Sequence, residues 1–263
     1  MKKISFCSSA AALLAVLVIL TGTSVASERV IPYPKGYETN AEGASSYRGL
    51  SDVKNSPYFK TPDYFTMKSN GSLIMISGYR TYQQSTETTC GPCAALTVLD
   101  HYKVKLFEEL QLSSLMGTLN EADINGEKGT STEKMVEFFK GIDWTVQSSL
   151  TAADKDGYSF TTMGKFKDFV LKNLREGTPI MVENMYWGGH WRVIIGYDTM
   201  GTVQTADDVI IFSDSYDVCD HNQDGYMVES AEGFYYTWMD IGLLPSGQQI
   251  QQWLIAKPKK SAK

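Results

Sequence analysis

Three residues far apart in the chain carry side chains that together could attack a carbonyl. Cys90 lies in Thr89-Cys90-Gly91-Pro92-Cys93-Ala94-Ala95, Gln84 stands six residues before it, and His190 follows Gly188-Gly189 about a hundred residues later. Cysteine attacks as the thiolate, and a free thiol ionises only at about pH 8.5. Two features favour the thiolate at Cys90. A helix is expected to begin there, and its unbonded N–H groups and dipole favour negative charge. Pro92 suits the first turn, where its missing N–H costs nothing. A histidine partner would take up the thiol proton and form an ion pair with the sulfur. Gln84 could aim a side-chain N–H at the oxyanion formed on attack, with the Cys90 backbone N–H as its companion donor.

The chain has three histidines. His101 falls at the end of the cysteine's own helix, where cations are favoured by the dipole. His221 lies in a polar loop. His190 opens Trp191-Arg192-Val193-Ile194-Ile195-Gly196-Tyr197-Asp198, a β-branched run that reads as a strand. The two glycines before it let another segment approach closely. A base of this kind is held by a third group on its other nitrogen. A second run, Val209-Ile210-Ile211-Phe212, ends in Ser213-Asp214-Ser215. Antiparallel pairing of the two runs would bring Asp214 beside His190 and leave Asp198, Asp207 and Asp208 at the far end. Asp217 is a less direct substitute, and a turn-capping role is the plain alternative for Asp214.

Cys90-Gly91-Pro92-Cys93 also fits a redox pair. That reading expects a short domain with a strand leading straight into the motif. Here Thr89 and a Gln/Ser/Thr/Glu-rich stretch precede it, and no compact βαβ unit surrounds it. Cys93 reads as a small core residue, with a disulfide to Cys219 left open.

Four blocks carry a family resemblance. They are Gln84-Ser85-Thr86-Glu87-Thr88-Thr89-Cys90-Gly91-Pro92, Glu176-Gly177-Thr178-Pro179-Ile180-Met181-Val182, Gly189-His190-Trp191-Arg192-Val193-Ile194-Ile195-Gly196-Tyr197-Asp198, and Ile211-Phe212-Ser213-Asp214. Together they resemble papain-like cysteine peptidases, in the branch related to bacteriocin-leader peptidases, over roughly Tyr79 to Tyr216. The resemblance implies Cys90 as nucleophile, His190 as base and acid, Asp214 as orienting acid and Gln84 as oxyanion donor. Cys93 is a departure, because members commonly carry a small apolar residue there.

The elements that must position these residues are readable in outline. Tyr64-Phe65-Thr66-Met67 and Leu73-Ile74-Met75-Ile76, joined through Asn70-Gly71, read as a hairpin. The cysteine helix runs to about Tyr102, and Leu106 to Met116 reads as a second helix. Ser131 opens a third that runs to Phe139 and is stopped by Gly141. Met163 to Glu176 is amphipathic and ended by Gly177. Ile180-Met181-Val182-Glu183 then starts a sheet. Helices followed by antiparallel strands indicate an α+β domain, and the resemblance makes it papain-like, with the nucleophile helix packed on the sheet.

Lys2 and Lys3, the apolar run Ala10 to Leu20, and Ser24-Val25-Ala26 read as a bacterial secretory signal over residues 1–26. Its core is shorter than the roughly 20 residues of a membrane span, and no transmembrane segment is expected in the mature chain. Residues 27–62 read as an irregular extension, 63–257 as the catalytic domain and 258–263 as a basic tail. The extension would be a wrap over the domain or a pro-segment. The expected location is periplasmic or secreted. Loss of Lys2 and Lys3 takes the net charge from −6 to −8, which argues against nucleic acid.

Asp220-His221-Asn222-Gln223-Asp224-Gly225 matches the first half of a calcium loop at Asp220, Asn222 and Asp224, but Ala231 occupies the twelfth position. No cofactor is required by this chemistry; calcium is possible, and zinc at His190, Cys90 and Asp214 is conceivable on ligand type, although the glutamine and the helix start argue for a nucleophile there. Tyr186 and Trp187 beside His190 are candidates for binding substrate. The leading function is an exported cysteine hydrolase acting on a peptide or protein. An idle papain-like binding module and a thiol–disulfide exchanger are the alternatives.

Overall fold

The computed structural model of the protein describes residues 43–47, 50 and 52–259. The expected signal over 1–26, residues 27–42 of the expected extension and residues 260–263 of the expected tail lie outside the described residues. The strands are β1 Leu73–Met75, β2 Trp144–Ser148, β3 Ile180–Asn184, β4 His190–Asp198, β5 Val209–Ser213, β6 Tyr226–Ser230 and β7 Gln252–Pro258. The helices are α1 Cys90–His101, α2 Glu109–Leu115, α3 Thr132–Gly141, α4 Ser149–Ala152, α5 Met163–Arg175 and α6 Ala231–Tyr236.

All strand pairings are antiparallel, in the order β2-β7-β3-β4-β5-β6, with β1 pairing the far end of β4. Helix α1 packs on β4, α5 on β4 and β1, and α3 on β2 and β7. Every residue of β3 and all but the last of β4 are buried. Their sequences accordingly lack a polar face, and the polar residues they do carry, Glu183, Asn184, His190 and Arg192, are buried as well. The α+β expectation is met, with the cysteine helix against the central strand. An aromatic cluster closes one side of the core: the Phe160 ring lies 5.9 Å from Trp238 and 4.7 Å from Phe169, and Phe169 lies 4.7 Å from Trp253.

Local signals explain the helices that the sequence marks. The Ser131 side chain accepts from the Lys134 N–H at the start of α3, and Thr162 does the same for Lys165 at α5. Gly177 ends α5 at φ 68°. Helix α2 is shorter than the sequence suggests, starting at Glu109. The expected hairpin does not form. Residues 64–66 are a turn, and β1 pairs with β4 alone. The physical reason is Asn70, whose Oδ1 accepts from Ser72 and Leu73 N–H and closes a side-chain turn in place of a two-residue hairpin.

The described part of the extension lies against the domain. The Gly43 N–H donates to Glu87 Oε1 at 2.9 Å, and the Ser45 N–H donates to the Gln84 carbonyl at 3.0 Å. Further along, the Val53 N–H donates to the His221 carbonyl and the Gln223 N–H to Asp52 Oδ1.

Candidate active site

Cys90 is the first residue of α1, so its backbone N–H has no partner one turn back in the helix. Helix α1 meets the sheet closely because position 91 has no side chain. A Cβ on Gly91 would stand 2.8 Å from Thr130 Cβ and 3.3 Å from Trp191 Cδ1. The Trp191 Nε1–H donates to the Thr130 carbonyl at 2.8 Å, fixing this wall of the site.

His190 opens β4 and is 2 % exposed. Its Nε2 lies 2.7 Å from Asp214 Oδ1, and Cys90 is near enough to favour the charged ring. Burial alone would favour the neutral ring. The Asp214 charge and hydrogen bond, followed by Cys90, outweigh burial and raise His190 from 6.5 to about 9. Asp214 is fully buried, which opposes its charge, yet His190, Arg192 and the Tyr216 N–H hold its carboxyl below the usual range. Pairing of β4 with β5 sets Val193 against Ser213, so Asp214 arrives beside the mouth of β4. Asp198 lies at the opposite end, against Val209.

Asp217 stands behind this pair. Its Oδ2 accepts from the Gly225 N–H at 2.8 Å, and the Gly225 carbonyl accepts from the Asp214 N–H at 2.9 Å. Burial pushes Asp217 up to about 9.

Gln84 is buried beside the loop that enters α1. Its Nε2 donates to the Thr86 carbonyl at 2.8 Å and its Oε1 accepts from Ser215 Oγ at 2.8 Å. One of the two amide N–H groups is thus engaged and at most one remains for an oxyanion.

The segment from Tyr82 to Thr89 is tied down by a residue that sequence reasoning missed. Glu109, 2 % exposed on α2, accepts from the Ser85 N–H at 2.8 Å and from the Tyr82 hydroxyl at 2.8 Å. Its place on the stripe with Leu112 and Met116, at helical spacing, is the signal that could have found it. Arg192 was also missed. It is 1 % exposed, bonds Glu229 at 2.9 Å, and its guanidinium lies 4.1 Å from the Phe212 ring and 4.6 Å from the Tyr186 ring.

A cleft of about 130 Å³ opens over Cys90 and is lined by Gly129, Thr130, Trp187, Gly188 and Gly189 among others. Trp187 is 53 % exposed and holds φ 54°, followed by Gly188 at 81° and Gly189 at 108°. A bulky residue in the left-handed region marks a strained approach to His190. Tyr186 is not among the cleft-lining residues: its ring lies against Arg192 and its hydroxyl is 3.4 Å from Cys219 Sγ. Its ring centroid is 6.3 Å from that of His190.

Cys90, Cys93 and Cys219 are free thiols, so Cys93 is not bridged to Cys219. Cys93 is wholly buried, and burial together with Glu109 pushes its thiol up. In the 220–224 loop, Asn222 Nδ2 donates to Asp224 Oδ2 at 2.7 Å, and Asp220 Oδ1 accepts from the Asn222 N–H at 2.9 Å. Asp224 Oδ1 takes the Tyr226 N–H at 3.1 Å. The three candidate calcium ligands therefore bond to one another and to the backbone as an Asx-rich turn. No group of three His, Cys, Asp or Glu suited to a metal occurs among the described residues.

Residues 76–242 match the model of the Peptidase_C39-like family. Among solved structures, the peptidase domain of Streptococcus ComA, described as a bi-functional ABC transporter involved in a quorum-sensing pathway, is similar at 18 % identity. That similarity covers 69 % of this chain and 99 % of the other, with a TM-score of 0.43. No curated protein matches the chain.

Proposed function

The chain belongs to the Peptidase_C39-like family of papain-like cysteine peptidases, and from that premise we propose that Cys90, His190 and Asp214 form its catalytic triad. The observation that carries this reading is the position of His190, bonded to Asp214 at 2.7 Å and set at the start of β4 close enough to Cys90 for the sulfur to favour its charged form. A substrate peptide is attacked at a carbonyl carbon by the Cys90 sulfur, whose proton His190 holds. The Cys90 backbone N–H and the remaining Gln84 amide N–H face the oxyanion, a donor pair of which each member is worth on the order of 10²–10³ in rate. His190 then protonates the departing amine and a thioester remains on Cys90. Water, giving its proton to His190, hydrolyses the thioester and frees the second product. Asp214 keeps the imidazole oriented and stabilises its charged form.

The same proposal includes export, on the strength of the 1–26 signal, into the periplasm or medium. The test uses the purified chain with a peptide library read by mass spectrometry. Turnover that disappears in Cys90→Ala and His190→Ala, while melting temperature is kept, supports the triad. Turnover that survives Cys90→Ala rules it out. N-terminal sequencing of the cell-produced protein should find Ser27 first.

A further inference from the structure

Two carboxylic acids that the triad does not use face the same cleft. Glu183 in β3 and Asp240 in the segment after α6 are each 2 % exposed, and both line the cleft with Cys90. Glu183 Oε2 and Asp240 Oδ2 have no hydrogen-bond partner. Lys128 lines the same cleft, yet it reaches neither of these oxygens.

Their other contacts are defined. Glu183 pairs with Trp191 across β3 and β4, beside the mouth of β4, and its backbone carbonyl accepts from the Trp238 Nε1–H at 2.9 Å. Asp240 Oδ1 accepts from Gly242 N–H at 2.9 Å and Leu243 N–H at 3.1 Å. Gly189 leaves room for Asp240: a Cβ there would stand 2.6 Å from Asp240 Oδ2. The carboxyl thus abuts the backbone immediately before His190.

Burying a carboxyl oxygen without a donor is unfavourable by roughly 1–3 kcal/mol in protein mutational data, and more for a charged group. Here two such oxygens border one opening, and apart from a proton held between the two acids the protein supplies no donor to them. Burial first, then Asp240 and Cys90, hold Glu183 well above the usual carboxylate range. In the empty cleft Glu183 therefore keeps its proton against Asp240. A ligand with several N–H donors and a positive charge would satisfy both oxygens and release that proton to solvent.

We propose that Glu183 and Asp240 form a substrate subsite for the ammonium or guanidinium of a lysine or arginine side chain close to the scissile bond. The proposal rests on the peptidase reading of Cys90. The binding class follows from the acceptors: an acidic side chain would meet two carboxyls, and an apolar one would leave the pair with nothing beyond the proton between them. The same chemistry would be offered by a free amine or guanidine, which provides an independent probe.

The experiment uses the reduced chain from Ser27 onward and matched peptidyl acyloxymethyl ketones. These carry lysine, arginine, norleucine or glutamate at either of the two residues preceding the reactive group. The rate of Cys90 modification is read by mass spectrometry. The lysine or arginine probe is expected to react about tenfold or more faster than its norleucine twin, the scale of a charge-assisted hydrogen bond. In Glu183→Gln and in Asp240→Asn that ratio should fall towards one, and because it is internal to each variant a general loss of reactivity does not disturb it. A ratio near one in the unaltered protein, or one unchanged in both variants, overturns the subsite and leaves the peptidase reading intact.

Agmatine, titrated while the side-chain carboxyl carbons are followed by ¹³C NMR, decides the subsite even if no peptidyl probe reacts. Saturable movement of the Glu183 signal, lost in Asp240→Asn, supports it. A signal indifferent to agmatine counts against it.

Discussion

Thr89 donates its hydroxyl to Glu109 Oε1 at 2.5 Å, so the residue immediately before Cys90 is held by a carboxylate on the next helix. The same carboxylate takes Ser85 and Tyr82, and so fixes both ends of the stretch that carries Gln84. Glu109→Gln keeps the volume but turns N–H donors towards these donors. The expected result is a loss of about 1–3 kcal/mol in urea unfolding, with a kcat that falls more than KM rises. The latter marks a positioning role and would be absent if Glu109 served stability alone.

The ionisation of His190 sets an alkaline limit. Its ordinary value of 6.5 is raised to about 9 in the fold, so the imidazolium persists through neutral pH. Activity should decline as pH rises through about 9, when the acid for the leaving amine is lost. Asp214→Asn removes the largest raising influence and should move this limb to lower pH. The sign for stability follows from the raised value. The His190 contribution is full below pH 6.5 and is lost as pH climbs through about 9. Thermal melts from pH 6 to 10 check it, and a limb that stays put in Asp214→Asn refutes the pairing.

Gly91→Ala separates helix propensity from packing. In an exposed helix interior the change stabilises by roughly 1 kcal/mol. At this position the new Cβ meets Thr130 Cβ at 2.8 Å, and overpacking typically costs about 1–3 kcal/mol. A net loss is expected in denaturant unfolding, together with slower alkylation of Cys90 as α1 is pushed from β4.

Cys93→Ala distinguishes hydrolysis from disulfide exchange. The Cys93 thiol is sealed in the core and pushed up by burial, so it does not reach a substrate. Peptide turnover should survive Cys93→Ala with a modest stability loss and vanish in Cys90→Ala. Equal damage from both would favour the redox pair.

The proximity of His190 and Asp214 is legible in the sequence because two β-branched runs with a short connection pair antiparallel, which fixes which aspartate meets the histidine. Helices α3 and α5 are legible from Ser131, Thr162 and Gly177, whose side chains or φ angles act locally. Glu183 and Asp240 are not, since a buried acid has the same letter as a surface one and its burial is decided by distant segments. Strand β7 escapes for a related reason: its partners, β2 and β3, lie far away in sequence. The Asn70-Gly71 pair misleads because asparagine closes its own turn as readily as it serves a hairpin.

The place of β7 between β2 and β3 governs when this protein can become itself. Trp144 pairs with Pro258 and Met181 with Leu254, so the sheet lacks an interior member until the latest-made of its strands emerges. Contacts of such long sequence separation form slowly, because loop closure precedes any reward from pairing. A chain that already contains Cys90, His190 and Asp214 but not β7 leaves β2 without its strand partner and one edge of β3 bare, so its core is not closed.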